Sequence, residues 1–269
     1  MRILLVKTSS LGDVIHNLPV VSDIRCHLPQ AVIDWCVEES FAAIPRLHPG
    51  VAAVIPVALR RWRKTLFAGQ TWRQVAAFRA HLGAMAYDAI VDTQGLVKSA
   101  LIAGRARGPL SGYAPDSARE PLAARFYDRR FSVDTNQHAV VRNRQLAAAA
   151  LGYELAGEPD YGIAAPAVAC DWLPPSPYVV FLSATSRDDK LWPEAHWIDL
   201  GRQLQARIGT PGVDLRGSGV VGSGHPHKTW RAGQLGVEFL DLAGGRVVVR
   251  GWCAAAVEQA QAVQRHDHR

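Results

Sequence analysis

Asp13 stands at the end of a short polar turn, Thr8-Ser9-Ser10-Leu11-Gly12-Asp13. The turn lies between an apolar run, Ile3 to Val6, and a helix-like pattern with Val14, Leu18, Val21 and Ile24 on one side. A carboxylate at the mouth of such a turn is placed to take a proton from an attacking hydroxyl. Asp ahead of an amphipathic run also caps free helix N–H groups, and neither role excludes the other. Ser9, Ser10 and Gly12 would shape the pocket around it, offering backbone N–H groups and hydroxyls to an oxygen-rich ligand. His16, one turn further on the same face, reads as pocket-lining or hydrogen-bonded rather than as a second base.

Further groups follow other strand-like runs. Arg60, Arg61, Arg63 and Lys64 surround Trp62 just after Val51–Pro56. Such a cluster is a solvated basic loop, a seat for a multiply phosphorylated or carboxylated substrate, or part of a nucleic-acid groove. Asp92, Gln94 and Lys98 lie in VDTQGLVKSA, either as a polar strand end with a surface lysine or as acceptor contacts. Arg119, in the Ser117–Glu120 segment, is a candidate phosphate or carboxylate clamp, and His138 with Arg142 forms a similar pair. In FLSATSRDDKLWPEAHW, Thr185, Ser186 and Lys190 follow a strand and precede a proline-opened helix. They could hold a diphosphate and neutralise a leaving phosphate, or form a surface loop with local ion pairs. A GxxxxGK[ST] loop is missing, and no GxGxxG turn follows the first strand. His225–His227 and His266–His268 resemble metal ligands only superficially, so no metal and no cofactor is expected.

The elements that must position these residues alternate. Strand-like runs at Arg2–Val6, Ala31–Cys36, Val51–Pro56, Ala89–Val91 and Leu110–Tyr113 are separated by helix-like runs. The latter are Val14–His27, Phe41–His48, Gln74–Met85, Leu96–Gly104 and Gln137–Leu151. This βαβα order implies a parallel sheet covered on both faces. Proline and glycine thicken between Gly152 and Pro177, which reads as a linker. A strand at Tyr178–Leu182 and a helix at Glu194–Ala206 open a second α/β unit. After about Arg207 the pattern weakens, with a strand-like AGGRVVVRGW and a helix-like CAAAVEQAQAVQ.

The chain has 269 residues, 48% of them hydrophobic, and a formal net charge of +6. That charge suggests an anionic partner: phosphate, nucleic acid or a membrane surface. The four cysteines have neither CxxC nor metal-like spacing and read as reduced core thiols of a cytosolic protein. A signal peptide and an apolar stretch of about 18 residues that could span a membrane are both lacking.

Taken together, MRILLVKTSSLGDVIHNLP, VIPVALRRWRK, YDAIVDTQGLVKSA, SAREPLAARFY and FLSATSRDDKLWPEAHW resemble the lipopolysaccharide heptosyltransferase I family, in order from Met1 to about Ala206. The resemblance implies an inverting glycosyltransferase of the α/β GT-B type, with two Rossmann-like domains at 1–160 (acceptor-binding) and 161–269 (donor-binding). It implies ADP-heptose as donor and Kdo2-lipid A as acceptor, and no nucleic acid. It also implies work at the cytoplasmic face of the inner membrane, in peripheral contact with that anionic surface. By the same resemblance Asp13 is the base, Thr185, Ser186 and Lys190 meet the donor phosphates, and Arg60, Arg61, Arg63 and Lys64 face the acceptor. By residue type and position, Ser9, Ser10 and Gly12 join the donor side and Gln94, Lys98 and Arg119 the acceptor side. The family's later Asp-Thr-Gly-x-x-His segment is missing from this sequence, and the tail from about Gly209 looks unlike the family. The expectation is a truncated or frame-shifted C-terminus, an incomplete second domain and weak or absent activity.

Overall fold

A computed structural model describes residues 1–164, 179–181, 191–208, 212–214, 237–242 and 245–250. The chain divides into two compact units, Met1–Ala165 and Pro166–Arg269, each with its own sheet. The strands of the first unit are β1 (Arg2–Val6), β2 (Val32–Glu38), β3 (Val51–Val57), β4 (Ala89–Asp92), β5 (Leu110–Tyr113) and β6 (Arg129–Phe131). Its helices are α1 (Leu11–Ile15), α2 (Leu18–His27), α3 (Leu59–Trp62), α4 (Gly69–Ala84), α5 (Val97–Ala103) and α6 (Ala139–Leu151). The strand order is β3-β2-β1-β4-β5-β6 and every pairing is parallel. Sheet growth therefore reverses between β1 and β4. In open α/β sheets, ligands bind outside the carboxyl ends of the strands at such a reversal.

Strand periodicity divides the core in two. Ile3 and Leu5 of β1 join one buried cluster with Val14, Leu18, Ile24 and Leu146 from α1, α2 and α6. Leu4 and Val6 join a second with Leu82, Ala100 and Ala103 from α4 and α5. A sheet covered on both faces needs apolar residues at successive positions, and Ile3 to Val6 are all fully buried.

Three expectations need correction. The single helix over Val14–His27 is two, α1 and α2, because Pro19 sits in the first turn of α2, where a missing N–H costs nothing. Phe41–His48 is not an α-helix but two 3-10 turns, Glu39–Phe41 and Pro45–Leu47, because Pro45 lacks the N–H that a continuing helix needs. Residues 152–164 are not a free linker, since Tyr153 and Tyr161 pack on the core and Ala164 N donates to Leu47 O at 2.8 Å. A 3-10 turn at Pro121–Phe126 and the strand β6 escaped the sequence reading. Of the cysteines among the described residues, Cys36 is buried as expected but Cys26 is exposed.

The second unit contains β7 (Val179–Phe181), α7 (Glu194–Ile208), β8 (Gly212–Asp214), β9 (Val237–Leu242) and β10 (Gly245–Arg250). Its sheet runs β7-β8-β10-β9, parallel except for the β10–β9 pair. The strand-like AGGRVVVRGW supplies β10, whereas β8 and β9 were not legible. The helix-like CAAAVEQAQAVQ and both histidine pairs lie outside the described residues.

Candidate active site

The two turns at the reversal are stitched together. After β1, the N–H groups of Thr8 and Ser9 both donate to Gln94 Oε1, at 3.0 and 3.1 Å. Gln94 follows β4, and its own N–H donates to Asp92 Oδ1 at 2.9 Å. Two N–H groups of the turn expected to face a ligand are thus spent inside the protein. Gln94 is buried, and its carbonyl clamps the β1 turn onto the β4 turn. Beneath it, Asp92 is fully buried and accepts from Ser99 Oγ and Tyr127 OH, both at 2.8 Å. Burial raises its pKa, and the hydroxyls and the Gln94 N–H pull against that rise.

Asp13 lies in the first turn of α1, whose N-cap is Ser10 rather than Asp13 itself. Ser10 N donates to Asp13 Oδ2 at 2.7 Å and Ser10 Oγ to the same atom at 3.1 Å. This is the reciprocal arrangement of a capping box, so the carboxylate is held by the helix it helps to start. Among the described residues no donor pairs with Oδ1. Asp13 is half-buried, while Ser10 and Gly12 are exposed. A Cβ built on Gly12 meets nothing within 4 Å, so packing does not explain the glycine. Lys98 extends from α5 toward Ser9, Nζ to Oγ at 3.4 Å.

Lys7 is the residue that sequence reasoning missed. Period-two alternation puts it on the same face of β1 as Ile3 and Leu5, under α6. It is 5% exposed and donates to Thr93 O at 2.7 Å and Asn143 Oδ1 at 3.3 Å. Asn143 also accepts from Tyr113 OH at 3.1 Å and donates to His16 O at 3.4 Å. One buried ammonium thereby links β1, β4, β5, α6 and the segment after α1. Burial lowers its pKa to about 8, the carboxylates of Asp13 and Asp92 oppose that shift, and Arg142 and Arg119 add to it. The signal available in the sequence was a lysine directly behind four buried apolar residues.

The other candidates flank this centre. Arg119 is exposed on a turn fastened to the β4 turn, since Glu120 N donates to Gly95 O at 3.0 Å and Val97 N to Glu120 Oε2 at 2.7 Å. Gly95 has φ +68, and a Cβ there would come within 3.1 Å of Tyr113. Arg142 lies over the Tyr113 ring, 5.4 Å from its centroid, and donates to Ser117 O at 2.6 Å. His16 and His138 meet edge-on at 5.1 Å. Arg60, Arg61, Arg63 and Lys64 are exposed at and just after α3, beyond β3. That is two strands from β1, roughly 10 Å at ordinary strand spacing. They are not equivalent. Arg61 forms a double hydrogen bond with Glu39, both contacts at 2.9 Å, whereas Arg60 lies over Phe41 with its backbone N–H on Glu38. Thr185, Ser186 and Lys190 lie outside the described residues.

The family model described as glycosyltransferase family 9 (heptosyltransferase) matches residues 75–209. The lipopolysaccharide heptosyltransferase 1 of Salmonella typhimurium is 45% identical over 246 residues, covering 90% of this chain and 75% of that one. An alignment of that extent continues past residue 208, so the likeness outlasts the motifs that suggested it. Its namesake in Pseudomonas aeruginosa is 49% identical over 212 residues, 77% of this chain and 59% of the relative. Among solved structures, Escherichia coli heptosyltransferase WaaC with ADP-2-deoxy-2-fluoro heptose superposes with a TM-score of 0.73 at 44% identity. That match covers 84% of this chain and 70% of the other. With this extent of family likeness, and with an α/β sheet whose order reverses at the Asp13 turn, the chain belongs to glycosyltransferase family 9, the heptosyltransferases.

Proposed function

We propose that this protein transfers L-glycero-D-manno-heptose from ADP-heptose to the first Kdo sugar of Kdo2-lipid A, with Asp13 as general base. The observation that carries the reading is the position of Asp13. It stands at the sheet's reversal point, in the first turn of α1, held through Oδ2 with Oδ1 turned to no donor among the described residues. Oδ1 takes the proton of the Kdo hydroxyl, and the hydroxyl oxygen attacks the anomeric carbon. The bond from that carbon to the β-phosphate oxygen breaks with its electron pair on departing ADP. A single in-line displacement inverts the anomeric centre and forms no covalent enzyme intermediate. A base so placed contributes about 10²–10⁴ in rate.

The reading follows the GT-B plan, with 1–160 carrying the acceptor and 161–269 the donor. Arg60, Arg63 and Lys64 supply cations to the carboxylated, phosphorylated acceptor, and Arg119 and Lys98 line the other side of the Asp13 turn. Gln94 contributes from below by fixing that turn. Ser9, Ser10 and Gly12 lie where the donor meets the base. Thr185, Ser186 and Lys190 would meet the diphosphate, Lys190 balancing charge on ADP. The site of action is the cytoplasmic face of the inner membrane, where the acceptor is anchored. No helix among the described residues is long and apolar enough to cross a membrane, so the contact proposed is peripheral.

The alternative reading is an inactive homologue that keeps only acceptor binding. Equilibrium binding of Kdo2-lipid A and of ADP separates the two. Transferase function requires both, and acceptor binding without ADP binding would favour the inactive homologue.

A further inference from the structure

Between β3 and α4 the chain exposes what a folded protein ordinarily hides. Phe67 is 103% exposed, Trp72 59% and Leu66 48%, and every residue from 63 to 70 is exposed. The base of this loop is nevertheless well fastened. Trp62 is buried edge-on to Phe78 at 5.7 Å and donates to Gln74 Oε1 at 3.1 Å. The hydroxyls of Thr65 and Thr71 pair at 2.8 Å. The one polar atom of the Trp72 ring, Nε1, is spent on Leu66 O at 2.9 Å, so the rest of the indole is apolar surface. The apolar tip is therefore held out by polar bonds at its base.

Among the described residues the free charge beside it is positive, Arg61 alone of the nearby cations being paired, with Glu39. Arg63, Lys64 and Arg73 are exposed beside the tip, Arg60 and Arg61 stand behind it, and the sequence has no Asp or Glu between Glu39 and Asp88. Aromatic and aliphatic side chains within a cationic rim match an anionic bilayer, whose headgroup phosphates meet the cations while the apolar tips enter the acyl boundary. A small hydrophilic anion would match the charge but leave Phe67 exposed.

We propose that residues 63–73 form a bilayer-docking wedge, with Leu66, Phe67 and Trp72 entering the headgroup–acyl boundary of an anionic membrane and Arg63, Lys64 and Arg73 contacting its phosphates. The inference rests on the reading that the acceptor is a membrane-anchored lipid. The wedge directly continues the Arg60–Lys64 cluster, so the cations assigned to the acceptor's sugars stand next to the membrane that holds its acyl chains.

The test is co-sedimentation of the full chain with vesicles of phosphatidylcholine containing one-third phosphatidylglycerol (roughly physiological anionic content), beside the Leu66→Ser, Phe67→Asp double variant. Both side chains are exposed, so the variant should keep the wild-type melting temperature. The expected result is binding that weakens about tenfold in the variant, and wild-type binding that weakens similarly on vesicles of phosphatidylcholine alone. Turnover of an acyl-free, water-soluble Kdo acceptor should be unchanged, whereas turnover of vesicle-embedded acceptor should fall. Equal vesicle binding by wild type and variant would overturn the wedge. So would a wild-type dimer that the variant dissolves with vesicle binding intact, which would make the patch a contact between copies. Wild-type failure on the soluble acceptor would instead count against the transferase reading and leave the vesicle result standing.

Discussion

At the residue scale, the site combines one carboxylate held by its neighbours with one ammonium held out of water. Lys7 has a folded pKa of about 8 against an ordinary 10.5, the reverse of a lysine that gains a partner. Its burial disfavours the charged form, so below pH 8 that cost is fully present. Between pH 8 and 10.5 the unfolded chain binds the extra proton, and stability rises with pH. In urea melts, the stability of wild type minus Lys7→Met should climb through this window at up to about 1.4 kcal/mol per pH unit; a flat difference would mean that burial leaves the Lys7 pKa where the unfolded chain has it. Lys7→Met also leaves Thr93 O without this donor, while Asn143 Oδ1 keeps the Tyr113 hydroxyl. Gly12 makes the opposite case. Since a Cβ there touches nothing, Gly12→Val should change stability by less than about 0.5 kcal/mol while raising the KM of a substrate several-fold. A lowered melting temperature with unchanged KM would show that the glycine serves the fold.

At the scale of elements, the basic turn after β3 separates residues that look alike in sequence. Arg61 already has a carboxylate partner in Glu39, whereas Arg60 and Arg63 have no ion-pair partner among the described residues. Arg60→Ala with Arg63→Ala should raise the acceptor KM at least tenfold and leave the donor KM within twofold, order-of-magnitude values for two charge-assisted contacts. Steady-state kinetics against each substrate checks this, and equal effects on both would make the turn merely structural. The alternation of buried runs made the first sheet legible, β1 to the residue because a strand covered on both faces is continuously apolar, and β5, Leu-Ser-Gly-Tyr, by its place in that alternation. The shorter elements were not legible. The strand β6 is three residues with two arginines, RRF, and follows a 3-10 turn, so it carries no period. Asp13 and the basic cluster were legible because they follow strands. Lys7 and the clamping role of Gln94 were not, because both depend on which strand lies beside β1, and the order 3-2-1-4 is a property of the folded sheet rather than of any local window.

At the scale of the whole molecule, one buried arginine fastens two helices of the first unit to the segment that follows them. Arg144 on α6 binds Asp23 on α2 through two contacts at 2.8 and 3.0 Å, and reaches Ala156 O and Gly157 O at 3.1 and 3.2 Å. Both side chains are nearly buried. Arg144→Met would strand Asp23, so the first unit should lose about 3–5 kcal/mol, read as a lower urea midpoint; an unchanged midpoint would mean that the Arg144–Asp23 pair adds nothing to stability. The most direct test of the central claim is heptose transfer from ADP-heptose to Kdo2-lipid A by the full chain beside Asp13→Ala. The account expects transfer by the wild type, and a rate at least about 10²-fold lower in the variant with ADP affinity preserved. Transfer that survives the loss of Asp13, or none by a folded wild type that binds both substrates, would contradict it.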